Sequence, residues 1–300
     1  MEKNVERSGI VYAAGAYILW GFLPIYWKAI DEVPAGEILA HRIIWSFVFM
    51  IVVVLLLKKW PAFLRECKII IQDPKKLIGI TLASIVISLN WLTYIWAVNS
   101  DHVIQASLGY YINPLVSILL AIIVLKEKLT KPQTFSVILA GVGVLYLTVS
   151  YGVFPWVSLT LAVTFALYGL FKKTVDIPAM FGLTIETMIV TPIALIYLSV
   201  IPVNTFTNSN VLSHTNLFLI GAGVATAIPL LLFASGAKRI PLAMVGFLQY
   251  FAPTIMLFLG IFVYQETFSQ AHLISFGLIW IALLIYLSTV YKHPIRKQSN

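Results

Sequence analysis

Charge is scarce in this sequence. Only 11% of its 300 residues are charged, against roughly 25% in a soluble domain. Hydrophobic residues make up 60%, and the mean hydropathy is +0.94. These values exclude a soluble globular domain and describe an integral membrane protein. Cysteine is nearly absent: Cys67 stands alone, so no disulfide can form within the chain, and in its basic loop it reads as a plain thiol. No Walker A sequence, HExxH, GxSxG or two-His metal spacing occurs, so ATP binding, zinc hydrolysis and serine chemistry lack their residues. No cofactor and no metal is expected. Of His41, His102, His214, His272 and His293, only His41 lies inside an apolar stretch. The pI of 9.4 and net charge of +8 suggest nucleic acid at first sight. In a membrane protein such an excess belongs to the cytoplasmic loops, and nucleic acid is not expected as a partner.

Apolar runs are what the sequence has in abundance. A transmembrane helix needs about 20 apolar residues. Ten segments qualify: 9–30, 36–57, 77–98, 103–125, 132–150, 155–172, 179–201, 215–237, 241–264 and 270–290. The first is too long for a signal-peptide core and lacks a cleavage site, so it is expected to be retained. The longest loop, 58–76, is basic and partly apolar, which fits a short helix lying in the interface. Eighteen of the 20 Lys and Arg fall in the termini and the even-numbered loops, including Lys126, Lys128, Lys131, Lys172 and Lys173. The exceptions are Lys28 and Arg42. This alternation predicts both termini in the cytoplasm.

The chain also repeats itself. NPLVSILLAIIVLKEKLT at 113–130 and APTIMLFLGIFVYQETFS at 252–269 share a register. Pro114 and Pro253, Glu127 and Glu266, and Thr130 and Ser269 are each 139 positions apart. The first copy is lysine-rich and the second has none. Two units follow, 1–150 and 151–300, each of five helices. Five is odd, so the second enters the membrane from the opposite side, an inverted repeat of the kind used by secondary transporters. Glu127 and Glu266 then sit at membrane surfaces, as helix-end elements. The fold class predicted is all-α, with ten transmembrane helices as two inverted repeats.

Polar groups within hydrocarbon are functional candidates, because burying them is costly. Near the outer surface, EILAHRIIWS carries Glu37, His41 and Arg42. Glu37 and His41 share a helix face. His41 is the residue type that titrates near neutrality, and Arg42 suits an anionic group. The cluster reads as an outer gate or coupling site, or as an interface cluster that pairs internally. Glu186 is isolated on an apolar helix, with Arg42 or a helix-end dipole as its expected partner. Near the midplane lie Tyr110, Tyr111, Asn113, Gln249 and Tyr250, and Asn90, Trp91 and Tyr94 of 77–98 join them as candidates to line a cavity. Aromatics normally line the interfaces, so this set fits a cavity for a flat, partly polar solute, or else hydrogen bonds between helices. Gly141, Gly143, Gly221 and Gly223 fit close helix packing.

EILAHRIIWS, LNWLTYIWAVN, ASLGYYINPLVSILLAIIVLKEKLT and GFLQYFAPTIMLFLGIFVYQET resemble the RarD-like members of the EamA family, in the drug/metabolite transporter superfamily. The resemblance covers nearly the whole chain. It implies a multi-pass permease of the bacterial inner membrane that exports small organic molecules by alternating access between two five-helix halves. The expected function is therefore secondary transport of small metabolites or drug-like solutes, with proton coupling left open. The alternatives are an uncoupled facilitator, and a membrane-embedded enzyme built on Glu37, His41 and Arg42. Expected partners are a small-molecule substrate and membrane lipid, with a homodimer left open.

Overall fold

The structure is a computed structural model that describes residues 2–99, 103–152, 156–202, 204–206, 212–265 and 269–292. Twelve α-helices occur among the described residues: α1 Glu2–Lys28, α2 Ala35–Leu56, α3 Trp60–Gln72, α4 Pro74–Asn99, α5 Val103–Ile123, α6 Lys131–Tyr151, α7 Trp156–Thr174, α8 Ala179–Val200, α9 His214–Ala237, α10 Leu242–Leu248, α11 Phe251–Phe262 and α12 Gln270–Lys292. In lipid a backbone group has no water to bond, so apolar chain closes its hydrogen bonds within helices. Eight stretches are long and apolar enough to cross a membrane, on α1, α2, α4, α6, α8, α9, the α10–α11 pair and α12. The described apolar stretch of α5 is shorter, Leu108–Ile123, and α7 carries Lys172 and Lys173 in its last turn.

Local chemistry sets the helix ends. Pro34, Pro178 and Pro241 stand just before α2, α8 and α10, with φ of −54°, −54° and −55°. Proline holds such a φ without loss, because a first-turn N–H has no helical partner. The end of the repeated motif is also a helix start. Thr130 and Gln133 form a capping box at α6, with the Thr130 N–H donating to Gln133 Oε1 at 2.9 Å. In the second copy Ser269 precedes α12, and His272 takes the place of Gln133: Ser269 Oγ and His272 Nδ1 are 2.8 Å apart. Lys126 and Gln265, also 139 apart, share a left-handed backbone, with φ of +54° and +56°.

The helix α3 lies where the basic loop was expected to make an interfacial helix. Phe63 and Ile70 pack with Val54, Ile80, Ile177, Phe181 and Ile185, while Leu64 and Ile71 remain exposed. Burial, and then the adjacent Glu66 carboxylate, push the Cys67 thiol above its ordinary range.

Helices pair in a pattern that survives exchanging α1, α2, α4, α5 and α6 for α7, α8, α9, α10–α11 and α12. Contact of α1 with α9 matches that of α7 with α4. Likewise α1–α11 matches α7–α5, and α2–α9 matches α8–α4. The pairs α2–α8, α6–α12 and α5–α10 map onto themselves. Glycine allows the tightest approach at Gly223, where a Cβ would overlap the backbone of Trp45 and Ser46, and Ser46 Oγ donates to Gly223 O at 2.9 Å. Gly143 and Gly221 would also crowd neighbours, but Gly141 has nothing within 4 Å. It is not a packing glycine.

The segment 241–264 is not one helix. It breaks at Gln249–Tyr250. Pro253 has no N–H to give the Gln249 carbonyl four residues back, which instead accepts from Ala252 N at 3.1 Å.

Candidate functional site

A cavity of about 610 Å³ lies between the two sets of helices, within the range of small-molecule sites. It is lined by Tyr17, Trp20, Trp27, Lys28 and Asp31 of α1 and its end, and by Arg42. Asn90, Trp91, Tyr94, Tyr110 and Asn113 add a wall from α4 and α5. Leu161, Phe165, Thr226, Leu230, Gln249, Pro253 and Tyr264 complete it from the second half. Exposed Lys28 and Asp31 mark the end it reaches. There Lys28 Nζ lies 5.3 Å from the Tyr264 ring centre, so α1 and α11 end side by side.

Six of the eight residues expected to line a cavity meet in this one, and two do not. Tyr111 and Tyr250 do not line it. Tyr111 is buried edge-to-face on Phe276 of α12, at 5.1 Å, and Tyr250 packs on Phe247. One residue along a helix turns the side chain by about 100°, which carries Tyr111 off the face that Tyr110 presents to the cavity. Asn90 is partly spent on structure, donating to Leu161 O at 2.8 Å and Thr164 Oγ1 at 2.9 Å. Gln249 Oε1 accepts from Ser117 Oγ at 3.1 Å. Asn113 is 8% exposed, and its Oδ1 has no hydrogen-bond partner.

The charged candidates separate. Arg42 lines the cavity. Its Nε donates to Thr226 Oγ1 at 3.0 Å, and its guanidinium carbon lies 4.8 Å from the Trp27 ring centre and 5.2 Å from that of Trp91. Glu37 faces elsewhere and is fully buried. Its Oε1 accepts from Thr205 N and Thr205 Oγ1, both at 2.8 Å, and from Phe206 N at 3.3 Å. His41 stacks on Phe206 and accepts from Trp45 Nε1 at 3.3 Å. Glu37 and His41 thus fasten the segment before α9 to α2.

Glu186 lies beyond the cavity floor, and its partner is neither Arg42 nor a helix dipole. Lys172 Nζ donates to Glu186 Oε1 at 2.6 Å and Tyr168 OH to Oε2 at 3.1 Å. Lys172 is only 5% exposed, so it is not the loop charge its position suggests. The floor between cavity and ion pair is aromatic: Trp20 and Phe165 meet at 5.7 Å, and Tyr168 stacks on Phe233 at 5.8 Å. Below it the helix ends are tied together. Lys173 Nζ donates to Ile240 O at 2.6 Å, and Lys238 Nζ to Val175 O at 2.9 Å. Burial lowers the Lys238 ammonium from the usual lysine range. Glu127 accepts from the N–H groups of Leu242 and Ala243, at 2.8 and 3.0 Å, capping α10. Glu266 lies outside the described residues. No group of three or more His, Cys, Asp or Glu that could hold a metal occurs among the described residues.

A model of the EamA-like transporter family matches residues 7–149 and again 155–288. The chain belongs to this family. It is 48% identical over 290 residues to "Uncharacterized transporter YojE" of Bacillus subtilis (strain 168), covering 95% of each chain. It is 42% identical over 288 residues to "Protein RarD" of Escherichia coli (strain K12), covering 95% of this chain and 96% of that one. A "Chloramphenicol-sensitive protein RarD" of Pseudomonas aeruginosa is 25% identical over 284 residues, with 94% of each covered. A crystal structure at 18% identity superposes with a TM-score of 0.72 over 96% of this chain and 100% of its own, a likeness of fold alone. The chain is thus a RarD-like EamA transporter, a multi-pass protein of the bacterial inner membrane.

In this EamA chain the sequence reading missed a whole wall of the cavity. Tyr17, Trp20, Pro24, Trp27, Lys28 and Asp31 all line it. Their spacing of three and four is that of one helix face, and that periodicity was the available signal.

Proposed function

We propose that the protein is a secondary transporter that moves small organic solutes by alternating access, with export as the direction the family resemblance implies. The observation that carries this reading is the unequal treatment of the two ends. One cavity, lined by both halves, reaches the end bearing Lys28, Asp31 and Tyr264. The other end is closed by the aromatic floor, the Lys172–Glu186 pair and the ties of Lys173, Lys238 and Glu127. Such a chamber suits one state of an alternating-access cycle. Glu186 and Lys172 act as the inner gate, while Glu37 and His41 hold the outer loop. Arg42 stands apart from that pair, which leaves the rival enzyme reading without a convergent site.

The further architecture is part of the same proposal: ten crossings, two inverted halves over 1–150 and 151–300, and both termini in the cytoplasm. The double match of the family model, the exchangeable helix pairing and the matched φ of Lys126 and Gln265 all support it. Labelling of single cysteines at Lys126 and Gln265 tests it, with opposite sides expected; labelling from one side defeats the inverted repeat. Function is tested in proteoliposomes with labelled amino acids and drug-like solutes, with and without a pH gradient. Solute flux above that of empty liposomes is expected. Its absence across the panel defeats the transporter reading, and indifference to the gradient assigns an uncoupled facilitator.

A further inference from the structure

We propose that the cavity takes a small organic anion, its carboxylate held by Arg42 and an adjacent N–H or O–H donated to Asn113. This rests on the transporter reading and names the substrate class for the same site.

A charge inside the membrane is normally paired. Glu186 meets Lys172, and Glu37 accepts three hydrogen bonds. Arg42 differs: no carboxylate lies within ion-pair distance of it among the described residues. Its charge persists at any physiological pH. What it has is alignment. Two indoles, Trp27 and Trp91, lie close to the guanidinium, and Thr226 fixes Nε. The Nη groups donate to no described residue and are free for a planar, two-oxygen acceptor, the geometry that suits a carboxylate. An indole contact contributes a fraction of what a paired carboxylate does.

Asn113 supplies the independent observation. It lines the same cavity, is more than nine-tenths buried, and its Oδ1 has no donor. An unmet buried acceptor is costly, and turning the Asn113 amide toward the cavity to meet an incoming N–H or O–H relieves it. The two unmet groups are complementary to an anion that also carries a donor, as in an amino acid or its N-acyl derivative. The floor of Trp20 and Phe165 takes the apolar part. A purely cationic solute meets Arg42 with like charge and is disfavoured.

The test uses the full chain in lipid nanodiscs and calorimetric binding of three acid and amide pairs: N-acetylphenylalanine, N-acetyltryptophan and N-acetylleucine, each against its C-terminal amide. In the wild-type protein at least one acid should outbind its amide by about 10- to 100-fold, the usual worth of a charge-assisted pair. Arg42→Gln should bring that ratio near one, with Arg42→Lys intermediate. Asn113→Leu should remove the advantage of N-acetylphenylalanine over 3-phenylpropionate, which lacks the N–H. If no acid outbinds its amide in the wild-type protein, the proposal is overturned, and that comparison needs no variant to fold. Persistence of the ratio in a folded Arg42→Gln protein overturns the role of Arg42. Flux separates the two readings. Amides crossing proteoliposomes while acids do not defeats the anion and keeps the transporter. Selective acid binding with no flux of any solute keeps the site and defeats transport.

Discussion

Breaking the buried pair at the closed end should both destabilise the protein and open that end. Lys172 and Glu186 are each 5% exposed and their charged atoms are 2.6 Å apart. Removing one partner of such a pair costs about 3–5 kcal/mol, because the survivor is left buried and uncompensated. Glu186→Gln should fall at the low end, since the amide oxygen still accepts from Lys172 while the amide N–H faces the Tyr168 hydroxyl, which can accept. Lys172→Met should cost more. Replacing both, as Lys172→Met with Glu186→Met, removes both desolvation terms, and stability should return to within about 1 kcal/mol of wild type. If the pair exists only while this end is closed, a loss of about 3 kcal/mol shifts the balance of states by roughly 150-fold. The reporter is Ser88→Cys in a Cys67→Ser background. Ser88 faces a void of about 10 Å³ between the floor and Glu186, too small for any reagent. An impermeant maleimide applied from the α7–α9 end should label it at least about ten times faster in Glu186→Gln. In the double methionine variant the rate should be at or below wild type. Equal labelling in all three proteins, with unchanged unfolding midpoints, refutes the seal.

Three other outcomes follow from named contacts. Gly223→Ala should force α2 from α9 and lower stability by roughly 1–3 kcal/mol, whereas Gly141→Ala, with open space around it, should leave the melting temperature unchanged. Glu37→Ala removes the acceptor for the Thr205 N–H and hydroxyl and should cost about 1.5–3 kcal/mol; hydrogen exchange at Thr205 should accelerate first, because the Phe206 N–H keeps Asn204 Oδ1 at 3.0 Å. The Cys67 thiol, raised by burial and Glu66, should alkylate more slowly at pH 7 than a free cysteine. The rate should climb as pH rises, and Glu66→Gln should increase it.

The helices were legible because apolar length, proline and loop charge agree with one another. The α3 helix was legible for the same reason, as a basic and apolar stretch between two long segments. The residue types of the cavity wall were legible, but not the direction in which each points. Tyr110 and Tyr111 are equally polar and equally deep, and only the neighbouring helices decide which faces the cavity. Lys172 was hidden by its place at a segment's end, where lysine usually meets water. Here its stem runs along α7 and its ammonium finds Glu186, so the charge is inside. The break at Gln249 was half visible: Pro253 announces a lost hydrogen bond, but Pro114 makes the same announcement inside the unbroken α5.

That difference gives the two matched prolines unequal mechanical roles. The inner fragment α10 is fastened to the first half, by Glu127 at its start and by the close approach of Gly246 to Pro114 O. The outer fragment α11 rests on α1. At the joint between them two bonds reach back only three residues, Tyr250 N to Phe247 O and Ala252 N to Gln249 O. Swinging α11 about Gln249 and Tyr250 therefore bends a hinge rather than breaking a rod. On the alternating-access reading proposed above, such a swing would narrow the mouth at Lys28 and Tyr264 while α10 stays held against α5.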